Sequence, residues 1–224
     1  MKSKTSFFTS NYFLLCLVLL IPFSVLAYGV AQQAEWINVF DHFIASPILM
    51  NRSPKSTAFY SFITDMGGTF FIVLLTLIVS LYFIWQKKDT KTAYWFILHV
   101  ALGAGLLNQV VKFFFQRTRP TIEHLVLQDG YSFPSGHSMA SLICYGGIAF
   151  LIIHFTQKKW IKWLTCLITV LIVSIVGLSR IYLGVHFPSD VVAGFCLAGS
   201  WFALSAAFYS IKLKKINRIK KTTF

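Results

Sequence analysis

The chain has 224 residues, of which 56% are hydrophobic and only 12% charged, yet its formal net charge is +13. A soluble domain carries about 25% charged residues, and a soluble nucleic-acid binder this basic would lack long uninterrupted apolar runs. The same runs exclude disorder, so the composition is that of an integral membrane protein.

Crossing a bilayer takes about 20 apolar residues as a helix. Six segments qualify, at residues 11–31, 67–85, 93–115, 138–155, 161–178 and 191–211. Tyr12, Trp85, Trp95, Trp160 and Trp163 lie near their ends, where amphipathic rings prefer to sit. The first segment follows Lys2 and Lys4 and ends near a Val25-Leu26-Ala27 stretch that looks like a cleavage site. Its apolar run is long for a secretory signal, so a retained span is expected. With no repeat and no long linker, the fold class is all-α: one polytopic domain over residues 1–224 with six transmembrane helices.

Between the first two spans, residues 32–66 are too many for a simple turn. Trp36, Ile37, Phe40, Phe43 and Ile44 fall close to one helical face, with Glu35, Asn38, Asp41 and His42 mostly off it. Two placements fit: a helix lying in the outer interface, or a short helix packed over the bundle.

Charge sorts by side. With the N-terminus in the cytoplasm, the inner loops and ends hold 14 cations and one acid, Asp89, whereas the outer segments hold six of each. The positive-inside rule then places both termini in the cytoplasm. The whole +13 excess lies inside, where it faces anionic headgroups. Cys16, Cys144, Cys166 and Cys196 sit apart in apolar stretches, with no CxxC or Cys/His cluster for zinc.

Three polar clusters stand at outer span ends, where ionisable groups near membrane depth suggest function. Lys112 and Arg119-Pro120 leave the third span, and Asn108 lies one turn before Lys112 on the same face. The forked guanidinium of arginine and the point charge of lysine suit phosphate oxygens. Arg52, Lys55 and Arg117 read as cations snorkelling to the headgroups. Pro134-Ser135-Gly136-His137 opens the fourth span as a capped helix start whose free amides attract an anion, with His137 beside it as a proton donor. Arg180, His186 and Asp190 join the fifth span to the sixth. His186 and Asp190, four apart, share a face if the turn is helical, and a carboxylate there fixes the imidazole tautomer. His42, His99, His124 and His154 lack motif partners. His99, within the third span, is expected to bond a neighbouring helix.

The three clusters read KxxxxxxRP, PSGH and SRxxxxxHxxxD, which resembles the signature of the type 2 phosphatidic acid phosphatase superfamily, here within residues 112–190. The resemblance implies a single integral-membrane phosphatase domain. In it, Lys112, Arg119 and Arg180 hold phosphate, and Ser135 and the Gly136 amide bond its remaining oxygens. His186 would be the nucleophile, Asp190 its orienting partner and His137 the acid for the leaving oxygen. It implies no metal or other cofactor, a lipid phosphate substrate in the bilayer, no nucleic acid and no protein partner. Expected substrates are undecaprenyl pyrophosphate, phosphatidylglycerol phosphate or phosphatidic acid, met at the extracellular or periplasmic face of the cytoplasmic membrane. Vanadium-dependent peroxidases share this type of site but are soluble. The alternative is a protein that binds or transports lipid phosphates without hydrolysing them.

Overall fold

The computed structural model describes the backbone of residues 4–222 and the side chains of residues 11–211. The side chains of the inner cations at 2, 4 and 212–221 lie outside that range. Among the described residues every regular element is a helix: α1 (Lys4–Ala31), α2 (Glu35–Met50), α3 (Pro54–Asp65), α4 (Thr69–Trp85), α5 (Thr90–Val100), a π-helical stretch (Ala101–Leu107), α6 (Asn108–Phe115), α7 (Gly136–Phe155), α8 (Lys159–Tyr182) and α9 (Pro188–Thr222). Among the described residues five spans are long and apolar enough to cross a membrane alone, and there are six if α3 and α4, bent by 45°, are counted as one span. The all-helical class is as expected, with five to six candidate spans; the second expected segment, 67–85, corresponds to α4, which qualifies only together with α3.

Local chemistry sets the boundaries. Ser53 caps α3 through the Ser56 amide, with Pro54 in the first turn, and Asp89 caps α5 through the Thr92 amide. The bend between α3 and α4 falls at Gly67-Gly68. A Cβ on Gly67 would stand 2.6 Å from Val176 and 3.1 Å from the His137 carbonyl, so glycine lets this break press against the start of α7. Gly184 closes α8 at φ +79, a left-handed turn that aims the chain from Arg180 towards His186.

Within the bundle, α1 runs along α9: Leu19 packs at Gly199, Phe13 meets Phe208 edge to face, and the Ser200 hydroxyl donates to the Cys16 carbonyl at 2.6 Å. The core is filled from α5, α7 and α9 by Phe96, Met139, Ile143, Cys144 and Ala198. His99 bonds the Ile143 carbonyl of α7 through Nε2 at 3.1 Å, as expected for a histidine bridging two helices. The π-helical stretch follows, with Trp201 filling the space beside Gly103 and donating Nε1–H to the His99 carbonyl. Such widened turns cluster near functional positions, and this one leads directly into Asn108 and Lys112.

Helix α2 does both things the sequence allowed. It packs on α8 and α9, and it leaves Trp36, Val39 and Phe43 outward. Its inward face differs from expectation. Ile37 and Asp41 are the buried positions, so the acid that seemed to lie off the packed face points into the protein.

Candidate active site

Six chain segments meet at one end of the bundle. These are the end of α1, the α3–α4 bend, the end of α6, the start of α7, the end of α8 and the start of α9, together with the 116–135 loop. A cavity of about 650 Å³ opens there, lined by Asn108, Lys112, Arg119, Gln128, Gly136, His137 and His186, with apolar walls from Ala104, Val110 and Phe113. Gln116, in a left-handed conformation at φ 45, ends α6 and turns the chain so that Arg119 reaches the cavity lining while Arg117 does not.

Lys112 donates to the carbonyls of Tyr131 and Ser132. Arg119 donates to the carbonyls of Asp129, Gly130 and Val185, and its NH1 lies 3.2 Å from His186 Nε2. Burial pulls the Arg119 pKa down from its ordinary value, against the opposing charges of Asp190 and Asp129. Arg180 is 1% exposed and bonds Thr64 and Gln128, while its buried Nε has no partner among the described residues. All three cations thus bond uncharged oxygens. None of them is ion-paired among the described residues; Lys112 and Arg119 line the cavity, whereas Arg180 lies buried outside its lining, and this end of the protein keeps positive charge available for an anion.

His186 is buried between α8 and α9. Its Nδ1 lies 3.3 Å from Asp190 Oδ2 and its Nε2 faces Arg119. The carboxylate accepts the Nδ1 proton, which leaves the Nε2 lone pair towards the cavity; this tautomer is assigned from the bonding. Burial, reinforced by Arg180 and Arg119 and opposed by Asp190, lowers the His186 pKa to about 3. The sign follows from linkage. An unfolded imidazole takes its proton near 6.5 and the folded one only near 3. Stability from a neutral His186 is therefore complete above 6.5 and is lost as pH falls towards 3. Melting temperatures in detergent should drop across that window, and His186→Gln should drop less steeply. Equal slopes would contradict a neutral buried imidazole.

The remaining predicted residues take distinct places. Asp190 is fully buried at the first turn of α9. Gly136 and His137 line the cavity at the start of α7, where the helix leaves amides unpaired. Ser135 is buried, and its hydroxyl oxygen accepts from the Ser138 amide and hydroxyl, so it works as the cap of α7. Asn108 ties this turn to α6 by donating to the Pro134 carbonyl, and it stands 3.2 Å from where a Cβ on Gly136 would be. His42, His124 and His154 make local contacts with Ser46, Pro120 and Tyr209.

Two of the three cations read as snorkelling do something else. Arg117 pairs with Asp190 Oδ1 and Asp41 Oδ2, both at 2.7 Å, and bonds the Ser189 hydroxyl. Arg52 donates to the carbonyls of Tyr182 and Glu123 at the end of α8. Only Lys55 is exposed, as expected. Ser132, whose hydroxyl donates to Asp190 Oδ2, was also missed by motif reasoning, as were Asp41 and Ser189. The one sequence signal for Asp41 was its position on a helix that needed a polar partner if it packed inward.

Comparison with known proteins shows the family. Residues 93–214 match the family description of the PAP2 superfamily. The chain is 34% identical over 194 residues to phosphatidylglycerophosphatase B of Bacillus subtilis, covering 85% of this chain and 92% of that one. A crystal structure of a transmembrane PAP2-type phosphatidylglycerolphosphate phosphatase from Bacillus subtilis matches it with a TM-score of 0.79 and 32% identity, over 86% of this chain and 94% of that one. An undecaprenyl-diphosphatase of Sulfolobus acidocaldarius is 28% identical, over 71% of each chain. A helical bundle with five to six candidate membrane spans, one end of which gathers cations with no ion-pair partner among the described residues around a histidine–aspartate pair, together with these matches, identifies the family: the chain belongs to the PAP2 superfamily and is one of its membrane lipid phosphatases.

Proposed function

We propose that residues 1–224 act as one phosphatase domain that removes a phosphate from a lipid monophosphate or diphosphate through a phosphohistidine at His186. The observation that carries this reading is the geometry of His186, backed by Asp190 on one ring nitrogen and facing a cavity lined by Lys112 and Arg119, with Arg180 buried outside that lining and none of the three holding an acidic partner among the described residues.

In the first step the His186 Nε2 lone pair forms a bond to phosphorus while the bond from phosphorus to the lipid-side oxygen breaks. His137 gives its proton to that oxygen, so the lipid leaves as an alcohol or a monophosphate. Water then attacks the phosphohistidine, His137 takes its proton, and inorganic phosphate departs with His186 neutral again. The cations and the α7 amides stabilise charge on the equatorial oxygens through both steps, with Ser135 holding the α7 turn in place.

The cations of the described loops at 86–89 and 156–158 lie at the opposite end from the cavity, which supports a site on the extracellular or periplasmic face of the cytoplasmic membrane. An outward site suits undecaprenyl pyrophosphate, phosphatidylglycerol phosphate and phosphatidic acid, the first two matching the activities named for the Sulfolobus and Bacillus relatives. The test is phosphate release by the purified protein from these three lipids in mixed micelles. Release from at least one of them, and a preference among them, is expected. Lipid phosphate binding without release from any would favour a binding or transport protein instead.

A further inference from the structure

Arg117 and Asp41 have no role in the three motifs: Arg117 falls on an unspecified position of the first, and Asp41 lies 71 residues before Lys112. Yet they complete a buried ion cluster behind the reacting histidine. Asp190 Oδ2 receives the His186 ring, the Ser132 hydroxyl and the Phe187 amide, and Oδ1 receives Arg117 NH1. The other arm of Arg117, NH2, is held by Asp41 Oδ2, and its guanidinium lies 4.0 Å over the Phe187 ring. Asp41 in turn accepts the Ser189 amide at 2.7 Å and the Ser189 hydroxyl at 2.8 Å, capping the first turn of α9.

We infer that Arg117 and Asp41 are positioning residues for the phosphatase reaction. On this assignment they lock the Asp190 carboxylate so that one oxygen always faces His186, and they make helix α2 part of the catalytic apparatus. The inference rests on the reading of His186 as nucleophile. Three observations carry it. Both carboxylates are buried, Asp190 at 0% and Asp41 at 4% exposure, so each needs a full set of partners. The single guanidinium bridges them, which removes the repulsion that two neighbouring carboxylates would otherwise feel. Neither Arg117 nor Asp41 lines the cavity, so their effect on phosphate is indirect, through Asp190 and the first turn of α9 that carries it.

There is a charge consequence too. Arg117 neutralises Asp190 and Asp41, while Lys112, Arg119 and Arg180 have no ion-pair partner among the described residues. The groups facing His186 are Asp190 from α9, Arg180 from α8, Arg119 from the loop, and Lys112 and His137 across the cavity.

The test is steady-state kinetics of the full chain in mixed micelles with Arg117→Gln, Arg117→Lys and Asp41→Asn, each checked for a wild-type melting profile. For Arg117→Gln, kcat should fall about 10- to 100-fold with KM within about twofold, the range seen when a side chain that orients a reactive group is lost. Arg117→Lys, which restores the charge but not the fork, should recover part of that loss. Asp41→Asn, close to isosteric, should also lower kcat at constant KM. The double variant Asp41→Asn/Arg117→Gln should be no worse than Arg117→Gln alone, because both act through one carboxylate. Wild-type kcat in well-folded Asp41→Asn and Arg117→Lys would overturn the inference, as would a loss carried by KM. If Arg117→Gln does not fold, the other two variants decide. A wild-type protein that releases no phosphate from any lipid would instead overturn the phosphatase reading on which the inference stands.

Discussion

Replacing His186 with alanine is expected to reduce phosphate release from every lipid substrate by at least about 10³-fold, while lipid phosphate binding stays within a few-fold of wild type. The split follows from the geometry. On the proposed reading His186 supplies the bond-forming lone pair and Lys112, Arg119 and Arg180 hold the anion; the bonds of these three cations go to the 128–132 loop, Val185 and Thr64. Removing the imidazole takes away the contact that ties Arg119 to the ring and leaves the other contacts in place. Activity of His186→Ala within tenfold of wild type would mean that water attacks phosphorus directly, and the covalent route would have to be abandoned.

Asp190→Asn should come next in size, with kcat down by about 10³- to 10⁴-fold, as in other histidine–aspartate pairs where the wrong tautomer results. An amide presents an N–H where the carboxylate presented only oxygens. If that N–H meets Nδ1, the ring proton moves to Nε2 and the attacking lone pair is lost. The same change strips Arg117 of a charged partner and weakens the acceptor for the Ser132 hydroxyl and the Phe187 amide. Because Asp190 is fully buried, some loss of stability is expected as well. Kinetics therefore need to be read on protein that still melts cooperatively. An Asp190→Asn enzyme with unchanged kcat would show that His186 needs no carboxylate to orient it.

The signature residues were legible in the sequence because their chemistry is unusual for their surroundings. Charged and hydrogen-bonding groups at membrane depth are costly, so Lys112, Arg180 and the His186–Asp190 pair stood out against apolar helices. The spans were legible for the complementary reason, since a helical run of about 20 apolar residues matches the thickness of a bilayer and suits little else. Arg117 was not legible. A cation at a span end ordinarily reaches for the headgroups, and the partner that holds this one, Asp41, lies 76 residues away on another helix.

Asp41 was obscured by a different effect. The apolar-face argument assumes that the hydrophobic side of a helix points into the protein. Beside lipid this reverses: Trp36, Val39 and Phe43 of α2 face outward, and the inward position is taken by an acid that meets an arginine. Ser135 shows a third limit. Its motif position suggested contact with phosphate; in the structure its hydroxyl oxygen accepts from the Ser138 amide and hydroxyl, and the residue is buried outside the cavity lining. The π-helical stretch before Asn108 left no pattern in the small residues Ala101–Leu107 that distinguishes it from ordinary helix.

The proposed chemistry turns on a phosphoryl group passing through His186. To follow that group, the purified protein is mixed with a lipid phosphate carrying a labelled terminal phosphate, quenched within milliseconds in alkali, and the label is located. A covalent route predicts a base-stable, acid-labile phosphohistidine at His186 that forms and decays at rates compatible with turnover and is missing from His186→Ala. Turnover of the labelled lipid with no label on His186, in a quench fast enough to capture a single turnover, would contradict it.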